Sequence, residues 1–530
     1  MLDNTQPPCP AGVRPLTLQE RKQRADAMAC LDNGTKPGAS DCSQNIWISI
    51  FFDGTGNNLL HDTPREKQSN VSRLWAAHAA DDDAASTYRI YLPGLGTPYP
   101  AIGENGESAM GLGFAAGGEK RLQRARIEFD RHVKSAAARA KNPTQPVRMI
   151  NLALFGFSRG AALARAFAVR IAAECQSKDG CWRYQDYPIR LYFMGLFDTV
   201  ASAGLSGGAK VLDHSPIVRT ALGAVWPLAG IGLASAPKDG HYDWAKDLRI
   251  PPMAEQCVHF VAAHEVRDSF PLDSVRNGKH YPANTVETIY PGVHSDVGGG
   301  YAPGEQTRAL KDEEKLSQIP LQHMYRIARV AGVPLRALET LGSEVTASFN
   351  CAARTAALYD KYQQLTQASG PVEQAFSDHQ FQLYRARSYL SKLENDNAAQ
   401  ARVPAAETAL MQTNNADLVP TVKPQLAIVT ANGNAVNQAT ANAETRKIEG
   451  KALSLREATL ARAYEDVSLI TGPQEDKQAL LDFFDYLVHD SVAGFGKDFS
   501  KLENWRMMYF ADVAYVPAND WSLSGPAAPI

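Results

Sequence analysis

The chain has 530 residues, 44% hydrophobic and 21% charged. This ordinary globular usage excludes wholesale disorder and fibrous repeats, in a length that allows about three domains. Lys and Arg total 54 against 57 Asp and Glu, a net charge of −3, so overall charge gives no argument for nucleic acid or an anionic membrane as partner.

Residues 1–44 are turn-rich, with one short helical patch at 18–30, and read as an N-terminal arm. The first thirty residues lack the apolar run of a signal peptide, so the expectation is a chain made in the cytoplasm. Five apolar runs follow, at 46–52 (IWISIFF), 147–155 (VRMINLALF), 189–197 (IRLYFMGLF), 257–263 (CVHFVAA) and 286–290 (VETIY). Helical patterns at 119–139 and 161–173 lie between them. Short apolar runs alternating with helices predict an α/β fold with a mainly parallel sheet over 45–310. The uncharged, apolar-rich stretch Thr220 to Pro237 carries three glycines and Pro227 and makes a poor membrane span.

Beyond residue 310 the composition shifts to Ala, Gln, Leu and Arg, with helical spacing at 321–333, 353–397 and 446–466. The Asn/Thr/Ala/Pro-rich tract 411–445 predicts an irregular, wandering connection. Residues 478–489 read as a helix and 505–516 (WRMMYFADVAYV) as a strand. The organisation expected is a mostly helical insertion, 311–470, before a C-terminal segment, 471–530, that rejoins the core. Seven cysteines, odd in number and without CxxC spacing, exclude a complete disulfide framework and argue against a zinc site, although Cys175 and Cys181 are spaced to close a small loop.

In a parallel sheet, functional side chains gather beyond the C-terminal strand ends. There this sequence offers Asp53, Ser158, Asp198, His264 and His294. Gly156-Phe157-Ser158-Arg159-Gly160 is a GxSxG match, the pattern of a strained strand-to-helix turn that exposes a serine hydroxyl. A second match, Gly204 to Gly208 around Ser206, follows a loop composition and reads as a turn. A serine nucleophile needs a base and an orienting carboxylate. Asp198, ending the next run, suits the carboxylate. For the base, His294 in the Gly-rich PGVHSDVGGG leads, with His489 and His264 as competitors, the latter also readable as an ion-paired structural histidine. The loop DGTGNN after the first run suggests the second half of an oxyanion hole. Backbone N–H groups of Gly54 or Thr55 would join that of Arg159, with Asp53 as a brace. A phosphate-cradling loop is the rival reading, without a P-loop lysine to support it.

FFDGTGNN, GFSRGAALAR, FDTVAS, YPGVHSDVGGGY and VHDSVAGF, in this order, resemble the GxSxG phospholipase effectors of the bacterial type VI secretion system, in particular the first lipase-effector subfamily. The resemblance spans residues 46–302 and 480–530. It implies an α/β-hydrolase that cleaves acyl esters of membrane phospholipids in a rival bacterium, without metal or organic cofactor. It also implies delivery by a secretion spike protein, action in the target periplasm or membrane, and a cognate immunity protein. The nucleophile falls on Ser158, the acid on Asp198, the histidine on His294, and a supporting role on His489. In this light the segment 217–236, whose one charge is Arg219, reads as a hydrophobic lid or interfacial helix as readily as a core segment. A serine esterase acting on non-lipid esters and a non-catalytic, spike-associated protein on a hydrolase scaffold are the alternatives.

Overall fold

The computed structural model describes residues 44–106, 117–139, 147–178, 181–201, 243–267, 269–278, 280–392, 397–466, 471–493, 505–511 and 513–515. The arm before residue 44, Ser206 and the segment 217–236 lie outside the described residues.

All five apolar runs are strands: β1 (Gln44–Phe52), β3 (Val147–Phe157), β6 (Tyr187–Phe197), β7 (Cys257–Ala262) and β9 (Thr285–Tyr290). A sixth, β2 (Thr87–Leu92), was not legible as an apolar run and pairs along β1. These six are parallel in the order β2-β1-β3-β6-β7-β9. A hairpin of β4 (Cys175–Lys178) and β5 (Cys181–Tyr184) adds antiparallel to the start of β6. Cys175 is a free thiol.

The continuous apolar runs are explained by helices on both faces, which leave no solvent side for polar residues. Ile46, Ile48, Ile50 and Phe52 enter one core, with Leu122 and Phe129 of the helix Gly118–Arg139 and Phe167 of Arg159–Glu174. Phe51, Phe155, Phe193 and Phe260 enter the other, as the two-residue strand period requires. Phe155 stacks on Phe51 at 4.7 Å, and burial of one such side chain contributes roughly 1.5–3 kcal/mol.

The second core also takes in Val71 and Leu74 of the helix Asn70–Ala77 and Met324, Phe376, Tyr384, Val436, Leu460 and Phe483, so the helices after residue 310 share the cover of this face of the sheet. The tract 411–445 is a correction. Residues Val422–Ile448 form one 27-residue helix. Pro424 falls in its first turn, where an N–H has no intrahelical acceptor. Buried Val422, Leu426, Val429, Gly433, Val436, Thr440 and Ala443 repeat at three- and four-residue spacing on one face. Tertiary packing outweighs the weak helix propensity of Asn, Thr and Gly.

The C-terminal expectations also change. The helix predicted at 478–489 is Gln474–Asp482, followed by a π-turn over Phe483–Leu487. The strand predicted at 505–516 is two, β10 (Met508–Phe510) and β11 (Val513–Tyr515), which pair antiparallel. Ala511, at φ 58°, turns the chain between them. β10 runs parallel to β8 (Leu272–Ser274) in a separate three-stranded sheet. Among the described residues no helix is long and apolar enough to cross a membrane, and no group of His, Cys, Asp and Glu is arranged to hold a metal ion.

Candidate active site

Strand order reverses between β1, which passes the chain outward to β2, and β3, from which it continues through β6 to β9. Parallel sheets open a crevice at such a switch point, outside the carboxyl ends of the strands. Asp53 follows β1, Ser158 follows β3 and Asp198 follows β6.

Ser158 holds φ 58° and ψ −128°, an uncommon conformation for a residue with a side chain, between β3 and the helix Arg159–Glu174. Its N–H donates to Phe197 O at 3.0 Å, and its carbonyl accepts from Ala161 and Val200 N–H at 3.0 and 3.3 Å. Both motif glycines are fixed by contact. A Cβ on Gly156 would lie 2.5 Å from Ala161 Cα and Gly160 O, and one on Gly160 would lie 2.3 Å from Phe52 O and Asp53 O. The turn carrying Ser158 is thus pressed against the end of β1. Arg159 opens the helix, so its N–H stands at the positive end of the helix dipole.

Asp198 and His294 come together: Nδ1–H of His294 donates to Asp198 Oδ2 at 2.6 Å, with both residues buried. His294 begins the short helix His294–Gly298. Its ring packs on Phe157, the residue before the serine, at 4.6 Å between centroids, and edge-on to Phe270 at 4.9 Å. Burial lowers its pKa, and the hydrogen bond and charge of Asp198 only partly offset this. The imidazole is therefore neutral near pH 7, with Nε2 as its basic nitrogen.

Asp198 is also gripped by a residue that sequence reasoning missed. Arg506 donates from Nη1 to Oδ2 at 2.8 Å and from Nη2 to Oδ1 at 2.6 Å, and Ala262 N–H donates to Oδ1 at 2.8 Å. Burial alone would raise the Asp198 pKa. The Arg506 charge and the hydrogen bonds of His294 and Arg506 outweigh it and hold the carboxyl well below its ordinary range. The available signal was a lone arginine inside the apolar WRMMYF, since a buried cation needs a buried acid. The turn after Asp198 is pinned as well: Thr199 N–H donates to His259 Nε2 at 3.0 Å, and His259 Nδ1–H donates to Glu287 at 2.8 Å.

The other candidates sort differently. His489 Nδ1–H donates to Asp296 Oδ1 at 2.7 Å, and its ring stacks on Tyr301 at 3.7 Å. Asp296 Oδ2 accepts from Val293 N–H at 3.0 Å, so His489 braces the turn that bears His294. His264 is no ion pair. Its Nδ1 accepts from Gly292 N–H at 2.9 Å and its Nε2 faces His379 O and Tyr362 Oη, each at 3.3 Å; burial lowers its pKa well below normal.

In the DGTGNN loop, Asp53 is buried and accepts from Gly54 N–H at 2.7 Å, Tyr91 Oη at 2.5 Å and Ser69 Oγ. Gly54 N–H is therefore engaged with Asp53, against its expected oxyanion role. A Cβ on Gly54 would meet Phe157 at 2.4 Å, which shows how closely this loop packs beside the serine turn. Burial raises the Asp53 pKa to about 7, against the lowering effect of Ser69 and Tyr91.

The chain is similar to a crystal structure of an uncharacterized protein from Pseudomonas aeruginosa, with 23% identity over 95% of this chain and 85% of that one, at a TM-score of 0.67. It shares 18% identity with the Tle1 effector bound to the VgrG spike of the type 6 secretion system, over 63% of this chain and 84% of that one, at a TM-score of 0.39. No curated protein matches. The family described as T6SS, Phospholipase effector Tle1-like, catalytic domain matches residues 47–176 and 172–327. This chain, with its serine turn, acid and histidine all inside the matched region, belongs to that family of type VI secretion phospholipase effectors.

Proposed function

We propose that the protein is a phospholipase of the A type that hydrolyses acyl esters of membrane glycerophospholipids through Ser158, His294 and Asp198. The observation that carries this reading is the 2.6 Å His294–Asp198 hydrogen bond, made beside a serine held at positive φ on the next strand end. Ser158 Oγ attacks the ester carbonyl while His294 Nε2 takes its proton; Asp198 fixes the ring and stabilises the imidazolium that forms. The N–H groups of Arg159 and Thr55 receive the charge that develops on the carbonyl oxygen. Collapse of the tetrahedral adduct expels the lysophospholipid alcohol, which takes the proton from His294. Water then enters by the same route and releases the fatty acid. None of these steps requires a metal or an organic cofactor.

Family membership supports the biological setting. In this reading the protein is delivered with a secretion spike protein, acts on the membrane of a target bacterium from its periplasm, and is restrained in the producing strain by a cognate immunity protein. The deciding experiment is Ser158→Ala with its fold checked by circular dichroism, assayed on phospholipid with two different acyl chains and mass spectrometry of the products. Loss of both lysophospholipid and fatty acid is expected. Retained hydrolysis would falsify the assignment, and cleavage confined to a soluble short-chain ester by the unmodified protein would replace the lipid substrate with a non-lipid one.

A further inference from the structure

We infer that Arg506 is a positioning residue for the reaction, and that the segment bearing it, which leads into β10, makes the helical region after residue 310 part of the catalytic apparatus. This rests on the Ser158–His294–Asp198 reading above. Arg506 is wholly buried, bonds both oxygens of Asp198, and shares Oδ2 with His294. Its Nη2 also donates to Ala262 O at 2.9 Å. The planar fork of a guanidinium fixes the plane of a carboxylate as well as its charge. With both oxygens held, Asp198 presents one fixed acceptor to the imidazole and has no freedom to pivot.

The arginine is carried from 308 residues away in sequence, and the contacts that bring it there come from two elements. Leu272 N–H donates to Met507 O at 2.8 Å, joining the segment to β8. Tyr384 Oη accepts from Trp505 Nε1 at 2.7 Å, and Phe376 meets the Trp505 ring edge-on at 5.7 Å. Arg276 lies 3.9 Å over the Phe510 ring while it pairs with Glu373 at 2.9 Å. Glu373, Phe376 and Tyr384 all belong to the helix Val372–Lys392. That helix therefore holds the segment leading into β10, from which Arg506 holds the acid.

A second consequence is electrostatic. The charged groups around the imidazole are Asp198, Glu265, whose carboxylate accepts from His294 N–H at 3.3 Å, and Arg267, paired with Glu265 at 2.8 Å. Arg506 acts on the imidazole through Asp198. Its positive charge cancels part of the field that would otherwise favour the imidazolium, and so keeps the base unprotonated at neutral pH.

The test uses the full chain and a soluble short-chain ester, with kcat and KM measured from pH 4.5 to 9 and melting followed by circular dichroism. Arg506→Gln is expected to lower kcat about 100-fold with KM little changed, and to move the acid limb of the kcat profile up by about one pH unit. Arg506→Lys keeps the charge without the fork, so its limb should stay in place while kcat falls about tenfold. Trp505→Phe loosens this segment without touching charge and should lower the melting temperature with the limb unmoved. An unshifted limb and unchanged kcat in Arg506→Gln overturn the inference, as does an equal limb shift in Trp505→Phe. If Arg506→Gln does not fold, Arg506→Lys decides: unchanged kcat overturns the inference and the tenfold loss supports it. Ser158→Ala in the same assay separates the two readings, because activity retained there removes the triad itself, whatever Arg506 does.

Discussion

His489 and Asp296 form a buried pair, Nδ1 to Oδ1 at 2.7 Å, two residues along the chain from His294. The pair repeats the Nδ1-to-carboxylate bond of His294 and Asp198. The same carboxylate accepts His489 N–H at 3.1 Å and Val293 N–H at 3.0 Å, so one acid ties the C-terminal segment to the residue before His294. In the proposed mechanism His294 is the base, and His489 supports the turn that bears it.

Removing each should give different losses. His294→Ala is expected to lower kcat by a factor of 1,000 or more. His489→Ala should lower it about 5- to 50-fold and cost roughly 1–3 kcal/mol of stability, because Asp296 is left buried with a lost partner. Steady-state assays on a soluble ester and urea unfolding measure both. Equal kcat losses in two folded variants would reverse the assignment of base and brace.

Gly160 has no room for a side chain, since a Cβ would sit 2.3 Å from two carbonyl oxygens of the β1 end. Gly160→Ala must push the serine turn away from the DGTGNN loop, or fail to fold. A loss of about 3 kcal/mol or more is expected, with activity reduced at least 100-fold in any folded fraction. Gly342, where a Cβ would meet nothing within 4 Å, is the control: Gly342→Ala should change stability by no more than about 0.5 kcal/mol. Urea midpoints of the two variants decide the point.

What the sequence made legible follows from these packing facts. The strand runs stood out because a sheet covered on both faces leaves no polar alternation, and GxSxG stood out because backbone contacts forbid side chains at Gly156 and Gly160. The edge strand Thr87–Leu92 mixes Thr, Arg and Tyr with apolar residues and so escaped. The helix Val422–Ile448 was hidden because its residues favour helix only weakly by themselves; its apolar stripe gains meaning once a partner face exists. Arg506 was hidden for the opposite reason. Its local sequence reads as one strand, where the chain forms two short ones after it, and its bond to Asp198 spans 308 positions; no local pattern encodes a contact of that range. Gly54 shows a subtler limit: the motif placed the right loop beside the serine, but which amide is spent on Asp53 depends on side-chain geometry.

Acid should unfold the protein over a definite range. Burial lowers His78 and His323 to a pKa of about 4 and His379 to about 3. Unfolded, each titrates near 6.5, so below that pH the unfolded chain binds more protons than the folded one. Their contribution is complete above pH 6.5 and is lost as pH falls toward 4. Glu265, held at about 2 by burial countered by Arg267, loses its contribution at lower pH in the same direction. The melting temperature should therefore fall steadily from pH 6.5 to 4, with net proton uptake on unfolding near pH 5. A flat calorimetric profile across that interval would contradict the buried, neutral state of these histidines.

Asp53 runs the other way. Its folded pKa of about 7, raised chiefly by burial, exceeds the unfolded value, so between pH 4 and 7 the folded state keeps a proton that the unfolded chain has released. Its contribution is complete below pH 4 and is lost as pH rises through 7. Asn at this position retains an amide oxygen for Gly54 N–H and Ser69 and carries no titrating proton. The stability of the unmodified protein relative to Asp53→Asn should thus decline with rising pH, by up to about 1.4 kcal/mol per pH unit between 4 and 7, and level off above 8. Urea midpoints of both proteins at pH 5, 6, 7 and 8 give the difference directly. A constant difference would mean that Asp53 is ionised throughout, with the donors Ser69, Tyr91 and Gly54 outweighing burial.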